Sequence, residues 1–271
     1  MPARYPERIV CLTEETTETL YLLGEERRIV GISGYTVRPA RARREKPRVS
    51  AFLTARTEKI LELKPDLVLG FSDLQADISK DLVKAGLNVV IFNQRSVDEI
   101  LQMILVVSSL VGASEKGLRL VQEFEGNLQQ IREAAGTLKR RPRVYFEEWD
   151  EPMISGIRWV SELIGIAGGE DVFSELSFSH GAAGRTISDP GEVIARRPDV
   201  IIGSWCGKKF VPAKVVAREG FGHIPAVRDG ALHEIKSALI LQPGPAALTD
   251  GLDQLVRIVS GWASRASSAA R

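Results

Sequence analysis

The chain has 271 residues, with 36 Lys and Arg against 35 Asp and Glu, so its formal net charge is +1. Hydrophobic residues make up 44% and charged residues 26%, the balance of a globular protein of one large or two small domains. Nothing in the near-neutral charge calls for nucleic acid or an anionic membrane as a partner. No run of about 18 apolar residues offers a transmembrane helix. The longest candidate, 100–111, is too short and is interrupted by Gln102, Ser108 and Ser109. Two cysteines, Cys11 and Cys206, do not make a disulfide framework. The first seven residues are polar and hold no apolar h-region, so the chain as written reads as cytoplasmic.

Residues 8–12 read as a short buried strand, 13–17 as a polar turn, and 16–23 as a helix ended by Gly24. A second strand, 28–32, opens into the loop Gly31-Ile32-Ser33-Gly34-Tyr35. Arg38, Arg41, Arg43, Arg44, Lys46 and Arg48 follow, broken by Pro39 and Pro47, and read as a solvated loop. Then come a helix at 56–63, a Pro65-Asp66 turn, a strand at 67–70, a helix at 76–85 closed by Gly86, and a strand at 89–92. Next, Leu118, Val121, Phe124, Leu128, Ile131, Ala135 and Leu138 are spaced by threes and fours, which predicts one long helix over 114–138 with Ser114 as its N-cap. At 1.5 Å per residue it would run roughly 37 Å, enough to brace two lobes and limit their closure. The stretch alone fits an ordinary amphipathic surface helix equally well.

After it the alternation restarts. A strand is expected at 143–146, a loop at 147–155, a helix at 159–167 stopped by Gly168-Gly169, and a helix at 192–196. A Pro198-Asp199 turn, strands at 200–203 and 231–235, and a last helix with Pro245 in its first turn complete the chain. Leu248, Leu252, Leu255, Val256, Val259 and Trp262 line that helix's inner face, and 264–271 is expected to fray. Alternating strands and helices imply mainly parallel sheets with covering helices. One unit recurs: helix, Pro-Asp turn, buried strand, at 58–70 and again at 192–203. Any α/β protein reuses that turn. A repeat at half the chain length, with a lone long helix between the copies, favours two similar lobes. The expected organisation is an α/β lobe over 1–95, a helical segment over 96–140 and a second α/β lobe over 141–271.

Ligands of parallel sheets sit beyond the carboxyl ends of the strands. That rule selects 13–17, 33–38, 51–54 and 71–75, then 147–157, 178–186, 204–210 and 237–242. These stretches hold Tyr35, Phe52, Phe71, Trp149, Phe178 and Trp205, with His180, Ser237 and Gln242 beside them. Aromatics at so many strand ends suit a large planar or amphipathic ligand, although any one of them could belong to the core. The three histidines, His180, His223 and His233, lack metal-ligand spacing. Gly203-Ser204-Trp205-Cys206-Gly207-Lys208 is not a P-loop. Cys206 has no evident His or Asp partner. Glu147-Glu148 and Asp150-Glu151 flank Trp149, but adjacent residues diverge and form no acid/base pair. No catalytic constellation emerges, so neither an enzyme nor a catalytic cofactor is expected.

The opening Arg8-Ile9-Val10-Cys11-Leu12, the Thr16-Thr17-Glu18 turn, Gly31 to Tyr35 with Pro39, the 60–69 and 192–202 segments, and Gly168-Gly169-Glu170-Asp171-Val172-Phe173 together resemble substrate-binding proteins of ABC importers. The resemblance is to the class that takes vitamin B12, siderophores and haem, and it is nearest to the vitamin B12-binding branch. It implies the class III periplasmic-binding-protein fold, two Rossmann-like α/β lobes joined by one long helix. It also implies binding without chemistry of a metal chelate, a corrinoid such as cobalamin first, in a cleft between lobes. By position, Tyr35, Phe71 and the loops of Trp149, Phe178 and Ser237 would line that cleft. Haem, with Tyr35 or His180 as iron ligands, or a ferric siderophore is the alternative; an enzyme acting on a tetrapyrrole is a more distant one. Asp77 and Glu192 are the matching acidic residues for docking to a transporter permease. A monomer is expected, with no nucleic-acid partner and no direct membrane insertion, and the resemblance implies a periplasmic location if a leader has been removed.

Overall fold

The Pro-Asp repeat folds the same way twice. In the computed structural model, which describes residues 5–268, Lys64 and Arg197 both take a left-handed conformation, φ 47° in each. Each ends a helix, Thr57–Glu62 or Pro190–Arg196, immediately before its proline, where a right-handed residue would clash with the ring. The aspartate that follows does more than finish a turn. The Asp66 carboxylate accepts the amides of Glu7 and Arg8 at 2.8 and 3.0 Å, and its own amide donates to Arg8 O at 2.9 Å. Asp199 repeats this on Arg143, accepting its amide at 2.9 Å and donating to its carbonyl at 2.8 Å. Each aspartate therefore clamps the start of the neighbouring strand, Asp66 just before Ile9–Cys11 and Asp199 at the first residue of Arg143–Asp150.

The chain forms two compact units. The first comprises the residues through Gln94, then Asp98–Phe124 and Pro243–Ala246. Its sheet contains β1 (Ile9–Cys11), β2 (Ile29–Ser33), β3 (Arg48–Ser50), β4 (Leu67–Phe71) and β5 (Val89–Phe92). All pairs are parallel, in the order β3-β2-β1-β4-β5. Val10, Leu12, Val49, Ile60, Val68 and Leu82 form its core. β1 and β4 are buried throughout, as central parallel strands covered on both faces must be.

The second unit comprises Arg95–Val97, Glu125–Gln242 and the residues from Ala247 onward. Its strands are β6 (Arg143–Asp150), β7 (Met153–Ser155), β8 (Glu170–Asp171), β9 (Thr186–Ile187), β10 (Val200–Gly203) and β11 (Leu232–Glu234). They run in the order β11-β10-β6-β7-β9, with β8 beside the start of β6. β11, β10, β6 and β8 pair in parallel, while β7 and β9 continue antiparallel.

Several expectations shift. The loop expected at 147–155 is a hairpin, because β6 runs on to Asp150 and returns as β7. The basic stretch is not one solvated loop: Ala42 is buried under the short helix Ala42–Glu45, and Val49 is buried in β3. The first helix begins at Glu14 rather than at residue 16. Ser114 is the first helical residue of Ser114–Gly136 rather than its cap, and its hydroxyl donates to Ser109 Oγ at 3.3 Å. Leu118 leaves the apolar stripe and is exposed, since Gly117 takes the buried position against Ser108. A Cβ on Gly117 would stand 2.0 Å from Ser108 Oγ, which only glycine avoids. Pro245 precedes the last helix: a π-helical turn, Ala247–Gly251, leads into Leu252–Ser268. Leu248, Leu252, Leu255, Val259 and Trp262 are buried as expected, and Val256 is half-buried. The helix continues through the first part of the expected frayed tail, and 269–271 lies outside the described residues.

Candidate functional site

In the first unit the strand order reverses between β1 and β4, and the ends of these two strands are where an open α/β sheet takes ligands. β1 delivers Thr13, Glu14, Glu15, Thr16, Thr17, Glu18 and Thr19, all polar and all buried. Glu15 Oε1 accepts the Thr13 hydroxyl at 2.6 Å, while Oε2 has no partner. Burial pushes the Glu15 carboxyl up to about 8 and that of Glu14 up to about 7. Glu18 accepts Arg38 Nε at 2.7 Å and the Ala246 amide at 3.0 Å. Gly244 lies so close that a Cβ on it would stand 2.4 Å from Glu15 Cβ. With Gln94 Nε2 donating to Pro243 O at 2.8 Å, the Pro243–Ala246 segment covers this acidic turn.

β4 ends on the buried Phe71, whose amide donates to Gln75 Oε1 at 3.0 Å. Gln75 Nε2 donates in turn to Phe52 O at 3.0 Å. One buried glutamine thus fastens the loops carrying Phe71 and the half-buried Phe52. Tyr35, after β2, is 57% exposed, with its amide held by Ser33 Oγ at 3.2 Å. Asp77 is exposed in the first turn of the helix Ala76–Lys84.

In the second unit the end of β6 is a row of paired charges. Glu147, fully buried, accepts Tyr145 Oη at 2.8 Å, Trp205 Nε1 at 2.9 Å and both Arg218 terminal nitrogens at 2.5 and 3.0 Å. Burial beside this carboxylate pushes the Tyr145 phenol well above its ordinary range. Glu148 takes both terminal nitrogens of the buried Arg185, at 2.6 and 3.0 Å. Asp150 binds the Lys208 amine, with Lys214 at 3.8 Å. Although it is partly desolvated, these lysines hold its carboxyl below the ordinary range. Trp149 is half-buried, donates to Glu151 O at 2.8 Å, and carries Lys208 Nζ 3.9 Å from its ring centroid.

The other expected residues spread over the same unit. Trp205 is buried edge-on to Phe210 at 5.0 Å, so it steadies Glu147 and offers a ligand little surface. Phe178 is 67% exposed with Arg158 over its ring at 5.6 Å, and His180 is exposed nearby in sequence. Ser237 opens the short helix Ser237–Ile240; both it and Gln242 are half-buried. Ser237, Trp205, Lys208 and Glu234 line a cavity of about 470 Å³ beyond the ends of β10 and β11. Glu192 is half-exposed beside Arg196 at 3.6 Å.

The periplasmic binding protein family model matches residues 9–239. The chain belongs to that family. It is 27% identical over 269 residues to an uncharacterized ABC transporter substrate-binding lipoprotein, YvrC, of Bacillus subtilis, covering 94% of this chain and 80% of that one. It is 28% identical over 254 residues to the vitamin B12-binding protein of Vibrio cholerae, covering 92% and 87%. The apo periplasmic heme-binding protein RhuT of Roseiflexus sp. RS-1 superposes with a TM-score of 0.78 at 24% identity, covering 93% of this chain and 99% of that one.

As a periplasmic binding protein it has the class III α/β fold and is a substrate-binding protein, not an enzyme, with no catalytic cofactor. The site chemistry agrees with capture. Each β6 carboxylate is neutralised by a cation, so none is left as a base. Among the described residues no three His, Cys, Asp or Glu cluster as metal ligands, and no helix is long and apolar enough to cross a membrane. Cys11 is buried, which pushes its thiol up to about 12, far from a reactive thiolate.

Reading the sequence selected the stretches that hold Glu14, Glu15, Gln75 and Arg185 without giving those residues a role, and it passed over Arg218. The signal for the first two was present: seven successive polar residues directly after a buried strand leave a helix start with no apolar face. Arg185 and Arg218 meet their carboxylates from 37 and 71 residues away, and no local pattern announces that.

Proposed function

We propose that the chain is the substrate-binding component of an importer for a large metal chelate, a corrinoid first. The observation that carries this reading is its similarity to the vitamin B12-binding protein across 92% of the chain. Supporting it are aromatics at the strand ends of each unit, with Tyr35 and Phe178 standing clear of the core. Tyr35, Phe52 and Phe71 from the first unit would hold the ligand, with Trp149, Phe178, His180, Ser237 and Gln242 from the second. Flat aromatic faces grip a corrin ring through buried area at small entropic cost. Asp77 and Glu192, each in the first turn of its helix, are the acidic residues we assign to docking on a transporter permease. The working form is a monomer outside the cytoplasmic membrane.

Haem is the second reading. A heme-binding neighbour of the same fold and the exposed Tyr35 and His180, both able to ligate iron, favour it. A ferric siderophore would use the exposed arginines. To test these readings, the apo-protein is mixed separately with cobalamin, cobinamide, haemin and a ferric siderophore, desalted, and examined by visible absorption. Retained corrinoid, weakened about tenfold by Trp149→Ala or Tyr35→Ala, is the expected outcome. Retention of haemin or siderophore alone moves the assignment to the second reading, and colourless protein from every tube ends the proposal.

A further inference from the structure

The edge of the first unit's sheet carries a pocket whose lining is rich in cations the corrinoid reading gives no role. β3 is an edge strand, paired only with β2. Beyond it the chain folds back: Ala55 bridges to Ser50, and the Arg56 amide donates to Val49 O at 3.0 Å. The fold-back borders an open cavity of about 740 Å³ whose lining includes Arg43, Lys46, Arg48, Arg56 and Lys59 and no Asp or Glu. Three short elements supply these cations: the helix Ala42–Glu45 and its end, β3, and the start of the helix Thr57–Glu62.

Two observations set this apart from a solvated basic face. The first is the absence of a direct ion pair. Glu45 and Glu26 act on Lys46 only from a distance, and Glu45 accepts the Tyr21 hydroxyl at 2.7 Å and faces Arg41 at 3.6 Å. Among the described residues none of the five lining cations forms a salt bridge. Five like charges around one cavity repel, and a bound anion would remove that repulsion. The second is Ser50. It lines the same cavity, is only 9% exposed, and its Oγ has no hydrogen-bond partner. A buried hydroxyl left unsatisfied is costly, so it calls for an acceptor.

We propose that this pocket binds a small oxyanion carrying two or more negative charges, a polyphosphate or a polycarboxylate. The guanidinium forks of Arg43, Arg48 and Arg56 match the paired oxygens of either group. Lys46 and Lys59 supply point charges, and Ser50 places an unpartnered hydroxyl in the cavity wall. The cavity falls in the usual range for small-molecule sites, roughly 300–1,000 Å³, and has room for more than one anionic group. No aromatic side chain lines it, which argues against a nucleobase or a nucleic-acid strand. The pocket adjoins the strand-end loops of Tyr35 and Phe52, since Gly34, Ala51 and Thr54 line it.

The test is isothermal titration of the whole chain at low salt with pyrophosphate, citrate and orthophosphate in separate runs, and sodium chloride of matched ionic strength as the blank. One saturable site for pyrophosphate or citrate is expected, and whichever binds tighter identifies the source. Arg48→Gln or Arg56→Gln should each weaken it about tenfold. Ser50→Ala, a small change that leaves the fold intact by circular dichroism, should weaken it several-fold. Arg119→Gln, on the exposed face of the helix Ser114–Gly136, should leave it unchanged. Absence of saturable binding up to about 10 mM, saturation by orthophosphate alone, or equal weakening by Arg119→Gln would overturn the proposal.

Discussion

Glu147 has no exposure to solvent, yet it sits at the end of a strand whose next residues pair with their own cations. Its four hydrogen bonds, from Tyr145, Trp205 and both nitrogens of Arg218, make an ionised carboxylate tolerable there. Removing the cation alone should therefore hurt more than removing both partners. Arg218→Met is expected to cost about 3–5 kcal/mol, and the Glu147→Gln/Arg218→Met pair clearly less. Urea unfolding followed by tryptophan emission measures this, because Trp149, Trp159, Trp205 and Trp262 all belong to the second unit. A single-variant loss below about 1 kcal/mol would show that Glu147 does not depend on Arg218 for its burial. The divergence of the neighbours Glu147 and Glu148 was legible in the sequence, although the strand that imposes it was not. The sequence could not show which distant arginine each would meet, because that depends on how strands separated by helices come together.

Elements were more legible than contacts. Strand positions came from apolar runs, and helix ends at Gly24, Gly86 and Gly168 came from glycines that take positive φ. Errors gathered where polar residues are buried through pairing: the β6–β7 hairpin read as a loop, and β3 disappeared into a basic run. Of the site residues, the exposed Tyr35 and Phe178 were legible as strand-end aromatics. The burial of Trp205 was not, because it follows from a bond to Glu147 far along the chain. The Pro-Asp repeat was visible as a pattern, but the reason for its aspartate was not, since Asp66 and Asp199 act on residues about 60 positions earlier. If the aspartate clamps the neighbouring strand, Asp199→Ala strands the Arg143 amide and should cost about 1–3 kcal/mol in the same fluorescence-detected unfolding. Asp199→Asn keeps an acceptor and should cost less. Equal midpoints for Asp199→Ala and the parent chain would reduce the residue to an ordinary turn former.

Across the whole molecule the balanced charge conceals carboxyls that titrate in opposite senses. Paired groups such as Asp150 and Glu175 are held low and stay ionised through neutral pH. Glu14 and Glu15, buried without cations, are pushed up to about 7 and about 8. In the unfolded chain both ionise near 4.5, so between that pH and about 8 the folded state binds more protons than the unfolded one. Stability must fall as pH rises through that window and level off above it. His233 opposes this in the lower part. Burial and Arg265 depress its folded value, so its contribution rises with pH up to 6.5 and is then complete. From pH 6.5 to 8 only the decline remains, on the order of 2 kcal/mol, or roughly 5 °C in melting temperature. Circular dichroism is the measurement of choice, because the first unit contains no tryptophan. Glu15→Gln, which fixes the neutral form, should flatten most of the slope and melt higher than the parent chain at pH 8. A melting temperature that holds or climbs from pH 6.5 to 8 would mean that Glu15 is already ionised, with its free Oε2 satisfied by solvent in the cover that Pro243–Ala246 forms.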